Sequence, residues 1–150
     1  MAVRFLPDTS VLVAAVCPWH QHHAAATQDL AQRLRRGDRM VLAEPSIVEA
    51  YAVLTRLPSP YRLAPADAHA LLASNFLSGR KMVSLDDAGI RALLDRLVAE
   101  GIAGGQTYDA VIASCARRAR VTVLLTFNES DFDPFAGDDL QIIVPGRPSV

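Results

Sequence analysis

Short apolar runs alternate along this chain with longer segments in which apolar residues recur at helical spacing. The short runs are too brief for an amphipathic helix, and proline, glycine or aspartate borders several of them, which is typical of buried β-strands. We predict strands at Val3–Pro7, Met40–Ala43, Lys81–Leu85, Val121–Leu125 and Leu140–Val144.

The longer segments carry helix signals. Aspartate stands at the start of two of them, where an N-cap is expected, and proline stands in the first turn of two others. Helices are predicted directly after Asp8, from the alanine-rich stretch behind His20–His23 to Arg36, from Pro45 to the break at Pro58, from Pro65 to about Leu77, from Asp86 through Leu97, and over Thr107–Arg118.

Strands that alternate with helices predict a parallel sheet, because each pair of consecutive parallel strands needs a crossover connection and a helix provides it. The expected fold class is α/β, with a three-layer α/β/α sandwich around a central parallel sheet. The length of 150 residues fits one domain, and no repeat or linker interrupts the pattern. We therefore expect a single domain over residues 1–150.

Composition narrows the class of protein. Hydrophobic residues make up 51% of the chain, yet no apolar run approaches the ~18 residues that cross a bilayer, and no signal-peptide pattern opens the sequence. We expect a cytoplasmic protein without a membrane segment.

Cys17 and Cys115 lie far apart and form no CxxC pair, which favours buried thiols over a disulfide. The net charge of −1 argues against coating nucleic acid by bulk charge.

Acidic and amide side chains follow several of the predicted strands. Asp8 follows the first strand, Glu49 lies on the helix after the second, and Asp109 opens the helix before the fourth. Asn128 and Asp131 follow the fourth strand. Because sites in parallel sheets form outside the carboxyl ends of the strands, we expect these side chains to lie together. Crowded carboxylates raise one another's pKa unless a divalent cation neutralises them, and Mg²⁺ or Mn²⁺ suits oxygen ligands and phosphodiester hydrolysis.

Each acid also has a purely structural interpretation. Asp8 suits a helix N-cap, and Asp109 complements the dipole of its helix from the first turn. Glu49 completes an S-x-x-E capping box with Ser46. The acids around Asp131 are typical turn formers. Only the set as a whole points to chemistry.

Four segments carry these residues in a fixed order: Phe5–Leu12 (FLPDTSVL), Pro45–Ala50 (PSIVEA), Thr107–Ala113 (TYDAVIA) and Leu124–Phe132 (LLTFNESDF). Together they resemble PIN-domain ribonucleases. The resemblance covers nearly the whole chain, and the order and spacing of the four segments make it specific. The short single-domain format resembles the VapC toxins of toxin–antitoxin pairs.

The resemblance implies an α/β/α sandwich that binds Mg²⁺ or Mn²⁺ through its acids and cleaves RNA with a metal-bound water. It implies that Asp8 and Asp109 are the principal metal ligands and that Glu49 is a further ligand or orients water. Thr9 or Ser10 is expected to contact metal or phosphate through its hydroxyl.

One position departs from the family pattern. The family often has an acid where Asn128 stands, and an amide offers an oxygen without a charge. The resemblance implies that Asp131 takes the fourth acidic role.

The resemblance also implies partners. Toxins of this kind form homodimers and are silenced by a cognate VapB-like antitoxin, whose tail enters the acidic groove, often with an arginine that suits carboxylates. The RNA substrate needs cations to contact its phosphates. Two arginine clusters are candidates for this role, or are solvated helix ends: Arg33, Arg35, Arg36, Arg39, Arg117, Arg118 and Arg120.

The stretch Cys17–His23 raises a zinc alternative, because cysteine and histidine are zinc ligands. No matching ligand pair stands elsewhere in the sequence, which disfavours it. Trp19, within this stretch, is expected to pack in the protein or to stack on RNA.

Two rival functions remain. Asp8 is compatible with the nucleophile of a haloacid-dehalogenase-type phosphatase, although Ser10 stands where that family has a second aspartate. The amide at Asn128 is compatible with a catalytically inactive module that keeps the fold and binds RNA or protein.

Overall fold

The structure, a computed structural model, describes residues 2–148. Within these residues, each strand runs parallel to the strands with which it is hydrogen-bonded. They are β1 Arg4–Pro7, β2 Arg39–Met40, β3 Leu42–Ala43, β4 Met82–Val83, β5 Val123–Leu125 and β6 Gln141–Ile143. The main sheet has the order β2-β1-β5-β6, and β3 pairs with β4 beside it.

Seven α-helices connect these strands within the described residues. A π-helical turn over Ala73–Leu77 continues the fourth helix, and a 3-10 turn over Asp133–Phe135 follows the seventh. The helices are α1 Thr9–Val16, α2 His23–Arg35, α3 Glu44–Thr55, α4 Pro65–Leu72, α5 Asp87–Glu100, α6 Gln106–Arg118 and α7 Glu129–Phe132.

Two apolar clusters lie on the two faces of the sheet. Successive side chains of a strand point to opposite faces, so Phe5 packs with helices α1 to α4 while its neighbour Leu6 packs with α5 to α7. Leu125 and Leu124 of β5 divide in the same way. All four side chains are fully buried. The predicted α/β/α sandwich is confirmed.

The predicted strand Met40–Ala43 is two strands in the structure. Its first half, β2, pairs with β1, and its second half, β3, pairs with β4. Val41 lies between them and its N–H still donates to the carbonyl oxygen of Phe5 at 2.8 Å. The chain therefore changes its hydrogen-bonding neighbour at this point, which an apolar run alone does not reveal.

The start of α3 overturns the capping-box interpretation. The helix begins at Glu44 with Ala43 as its N-cap, so Ser46 lies inside the first turn. The Ser46 hydroxyl is buried and has no hydrogen-bond partner within residues 2–148. Glu49 is exposed and is not a cap, which leaves its carboxylate free for another role.

The sheet brings the ends of β1 and β5 together. The N–H of Asp8 donates to the carbonyl oxygen of Leu125 at 2.9 Å, and the N–H of Thr126 donates to that of Ile143 at 3.0 Å. The first residues after β1 and β5 are therefore direct neighbours at the carboxyl edge of the sheet.

Two further sequence predictions concern the rest of the fold. Cys17 and Cys115 are buried free thiols, as predicted. Among residues 2–148, no helix has the length and hydropathy needed to cross a membrane.

Candidate active site

The side chain of Asp8 is a buried carboxylate, and both of its oxygens accept hydrogen bonds. It is 2% exposed and serves as the N-cap of α1, where its Oδ1 accepts from the N–H of Val11 at 3.1 Å. Oδ1 also accepts from Ser10 Oγ at 2.6 Å, and Oδ2 accepts from Thr126 Oγ1 at 2.5 Å. The capping role predicted as an alternative is real, and it fixes the carboxylate at the edge of the sheet.

The pKa of Asp8 is raised to about 6, because the effect of burial is larger than that of the hydrogen bonds from Ser10, Thr126 and Val11, which lower the pKa. Burial, followed in order of size by the charges of Asp131, Asp8 and Glu49, raises the pKa of Asp109 to about 6. Asp109 lies in the first turn of α6, as predicted. A carboxylate whose pKa is raised by other carboxylates lies in a negative field that a cation relieves.

Glu49 is tied to the same site through Thr9. The hydroxyl of Thr9 donates to Glu49 Oε2 at 3.2 Å, which joins the first residue of α1 to the second turn of α3. Thr9 is 8% exposed, so the glutamate is oriented by a buried residue. This contact turns an otherwise exposed carboxylate towards Asp8.

One pocket of about 380 Å³ collects six of the seven predicted site residues. We call it the acidic pocket. Asp131 is the exception, because it is exposed on α7 and does not line the pocket; it acts on Asp109 through its charge. The predicted residues in the wall of the acidic pocket are Asp8, Thr9, Ser10, Glu49, Asp109 and Asn128.

Sequence reasoning assigned no role to Thr126. It is fully buried directly after β5, and its Oγ1 both donates to Asp8 and accepts from the N–H of Asn128 at 2.9 Å. Ser10 makes a parallel link, since its Oγ accepts from the N–H of Phe127 at 3.0 Å while it donates to Asp8. The signal for Thr126 was its place, a polar residue directly after a buried strand, which is the place of Asp8 after β1.

The histidine stretch borders the acidic pocket without forming a zinc site. The ring of His23 bonds to the carbonyl oxygen of Ala14 at 2.8 Å, and Nδ1 of His20 accepts from the N–H of His22 at 3.0 Å. Within residues 2–148, no three histidine, cysteine, aspartate or glutamate side chains form a ready metal cluster. The zinc alternative therefore gains no support.

The donors of the acidic pocket fit a hard divalent cation. Asp8, Asp109 and Glu49 offer only oxygen, and magnesium is typically held by one or two carboxylates together with water and substrate phosphate. A closed cage of three protein ligands is not needed for such a site. The charges of neighbouring carboxylates raise the pKa of Asp109, which is a further reason why a cation fits here.

The seven arginines that are candidates for phosphate contacts, or solvated helix ends, lie outside the wall of the acidic pocket. Four of them form ion pairs with aspartates: Arg33 with Asp29, Arg36 with Asp38, Arg117 with Asp139, and Arg118 with Asp86. Their contact with RNA stays a prediction.

Fold and site together define a class of protein in which a parallel α/β/α sandwich gathers acids at the carboxyl edge of its sheet. The sequence agrees, because the PIN domain family matches residues 5–137. The chain belongs to the PIN domain family.

Individual relatives place the chain more narrowly. It is 41% identical over 118 residues to Ribonuclease VapC40 of Mycobacterium tuberculosis, covering 79% of this chain and 82% of that protein. The structure is similar to that of VapC20 of Mycobacterium tuberculosis, described as a sarcin–ricin loop cleaving toxin, with a TM-score of 0.69, 15% identity and coverage of 87% and 94%. It is also similar to VapBC2 from Rickettsia felis, solved with a promoter DNA fragment, with a TM-score of 0.67, 17% identity and coverage of 95% and 99%.

Proposed function

We propose that this protein is a divalent-metal-dependent ribonuclease that acts as the toxin of a toxin–antitoxin pair. The observation that carries the proposal is the convergence of Asp8, Glu49 and Asp109 in one pocket of a PIN-domain chain. A relative that is 41% identical over most of its length bears the name ribonuclease. We propose that residues 1–150 form one such domain.

Asp8 and Asp109 are the proposed principal ligands of Mg²⁺ or Mn²⁺. A bound cation of this kind lowers the pKa of water and stabilises charge on phosphate oxygens. Ser10 and Thr126 hold the Asp8 carboxylate in one orientation through their hydroxyl groups. Thr9 directs Glu49 towards the same space, where its carboxylate completes the ligands or orients water.

Asn128 and Asp131 have different proposed roles. Asn128 offers an uncharged oxygen from the pocket wall, whereas Asp131 supplies negative charge from outside it. We propose that Asp131 would complete the acidic set of the cation site through the effect of its charge on Asp109. Substitutions at Asn128 and Asp131 test these two roles separately.

We also propose a VapB-like antitoxin as partner, a homodimeric assembly and a cytoplasmic place of action, where RNA is available. The similarity to the solved structure of VapBC2 supports the first of these. Beside the acidic pocket, an apolar groove of about 480 Å³ includes Val48 and Tyr108, which are 64% and 69% exposed. An exposed apolar groove of this kind suits a protein partner.

The test is cleavage of total RNA by the purified chain with Mg²⁺, with Mn²⁺ and with EDTA. Asp8→Asn and Asp109→Asn keep the size of the side chains and remove their charge, and Asp95→Asn, at an exposed position on α5, is the matched control. Discrete fragments that require metal and both site aspartates, and that Asp95→Asn still produces, support the proposal. Intact RNA with a folded protein and both metals would favour the inactive binding module.

A further inference from the structure

Five aromatic rings form a continuous row beside the acidic pocket. The rings come from three separate parts of the chain, so no local sequence pattern produces the row. Trp19 stacks on Tyr61 with a centroid distance of 4.3 Å, Trp19 lies 5.9 Å from His20, His20 lies 5.6 Å from His22, and His22 stacks on Phe127 at 4.3 Å. We call this row the ring track.

The ring track connects the protein surface to the acids. Its inner end, formed by His20, His22 and Phe127, lines the acidic pocket together with Asp8. At its outer end Trp19 is 46% exposed and Tyr61 is 45% exposed. Aromatic side chains that serve only the core are almost fully buried, whereas these two keep nearly half of their surface exposed.

A tight turn, one hydrogen bond to the ring of His20 and the stack of His22 on Phe127 order the inner end of the ring track. The N–H of His20 donates to the carbonyl oxygen of Cys17 at 2.9 Å, and the N–H of His22 donates to Nδ1 of His20 at 3.0 Å. The two rings of the His22–Phe127 stack lie within 11° of parallel. The ring track is thus preorganised before any ligand arrives, which lowers the entropic cost of stacking on it.

We propose that the ring track binds unpaired bases of an RNA strand whose scissile phosphate lies in the acidic pocket. Aromatic rings beside a backbone-binding groove are how proteins hold single-stranded nucleic acid, because every base has a face that stacks. Bases inside an A-form duplex are already stacked and out of reach. The inference rests on the proposed ribonuclease function and adds to it a base-binding subsite made by the five rings beside the acidic pocket.

The outer end of the ring track also carries a positive charge. Arg62, which is exposed, follows Tyr61 directly in the chain. A cation beside a stacking surface suits a nucleic-acid strand, whose phosphates accompany its bases. A short strand can therefore pair its phosphates with Arg62 while its bases stack on Trp19 and Tyr61.

Trp19 is the one tryptophan of the chain, so its fluorescence reports on the ring track alone. We would titrate the Asp109→Asn protein, with Mg²⁺ present, with a single-stranded oligoribonucleotide, with the same strand carrying abasic residues, and with its duplex. The expected result is strong quenching by the single strand and little quenching by the other two. Equal quenching by the abasic strand, or none by any RNA, would overturn the proposal and leave the rings as a protein-contact surface.

Substitutions test the same surface without fluorescence from Trp19. In the same background, Trp19→Ala and Tyr61→Ala should each weaken binding of a fluorescein-labelled single strand at least about fivefold, which is about 1 kcal/mol. Trp19→Phe should retain most of the affinity. Tyr51→Ala, at an exposed tyrosine on α3 that is not part of the ring track, is the matched control and should bind as before. Unchanged affinity in both alanine variants would overturn the proposal.

The two proposals fail in different ways. Binding through the ring track with no cleavage by the wild-type chain would contradict the ribonuclease function alone. Metal-dependent cleavage by the wild-type chain, with affinity that is indifferent to Trp19 and Tyr61, would contradict the ring track alone. Thermal melting of each variant separates loss of binding from loss of fold.

Discussion

The hydroxyl of Thr126 donates to Asp8 Oδ2 at 2.5 Å in the interior of the protein, where Thr126 is fully buried and Asp8 is 2% exposed. The two residues are 118 positions apart in the chain and meet because β1 and β5 are adjacent. The contact opposes the effect of burial on the pKa of Asp8, because a hydrogen bond donated to a carboxylate stabilises its charged form. Thr126 therefore keeps Asp8 available as an anion and fixes its direction.

Thr126→Val should damage the site without altering the shape of the side chain much. It removes the donor to Asp8 and leaves the N–H of Asn128 without its acceptor, so we expect a loss of about 1–3 kcal/mol in stability and a higher pKa for Asp8. Metal affinity at pH 6 should fall more than at pH 8, as measured by calorimetry with Mn²⁺. Thr126→Ser keeps the hydroxyl and should restore most of the affinity; if it behaves like valine, the hydrogen bond is not the cause.

The stability of the metal-free protein should fall as pH rises from about 4 to above 6. The pKa of Asp109 is about 6 in the folded protein against an ordinary value of 3.8, so between these values the folded state holds a proton that the unfolded state has lost. The stabilisation is present below pH 4 and is lost as pH rises through 6. Asp8 acts in the same direction.

Asp109→Asn should remove part of this pH dependence and raise the melting temperature above pH 7 in EDTA. Melting curves from pH 4.5 to 8 for the wild type and the variant measure it. Asp38, Asp86 and Asp139 have lowered pKa values and act in a more acidic range, so they do not mask the effect. A difference between the two proteins that does not vary with pH would contradict the assignment of a raised pKa to Asp109.

Substitutions at Asn128 and Asp131 separate their roles. Asp131→Asn removes a charge that raises the pKa of Asp109, so metal binding should extend to lower pH while its affinity at pH 8 changes little. Asn128→Asp adds a carboxylate to the wall of the acidic pocket and should tighten metal binding at pH 8. Titration of each variant with Mn²⁺ at several pH values measures both changes in metal affinity. A large loss of affinity at pH 8 in Asp131→Asn would instead make Asp131 a direct ligand.

Ser46→Ala should stabilise the protein by about 1 kcal/mol. The Ser46 hydroxyl is fully buried and has no partner in the part of the chain that the structure describes, and a buried unpaired polar group costs free energy. Alanine also favours the helix at this position in α3. Urea unfolding measures the change, and Ser46→Thr, which keeps the hydroxyl, should not stabilise. Destabilisation by alanine would show that the hydroxyl has a partner.

The sequence predicts those structural features that depend on residues close together in the chain. Asp8 and Asp86 cap helices as predicted, because an N-cap needs only its own residue and the next few N–H groups. The acids at the strand ends converge because parallel strands end at one edge. These local and topological rules predict the sandwich and six of the residues that line the acidic pocket.

The remaining features depend on partners that lie far away in the sequence. The division between β2 and β3 arises because Arg39–Met40 pairs with β1 while Leu42–Ala43 pairs with β4. Trp19 stacks on Tyr61, which lies 42 positions further along the chain. An apolar run and an isolated tryptophan look the same whichever partner they have, so only the folded structure separates the alternatives.

The most direct test of the central claim is the single-turnover rate of cleavage of one RNA as Mg²⁺ is increased, measured for the wild type and for Asp8→Asn. The account predicts a rate that saturates with Mg²⁺ in the wild type, is abolished by EDTA, and is at least about 100-fold slower in Asp8→Asn at every concentration. A variant that cleaves at the wild-type rate, or wild-type cleavage that persists in EDTA, would contradict the assignment of Asp8 and its neighbours as the metal site.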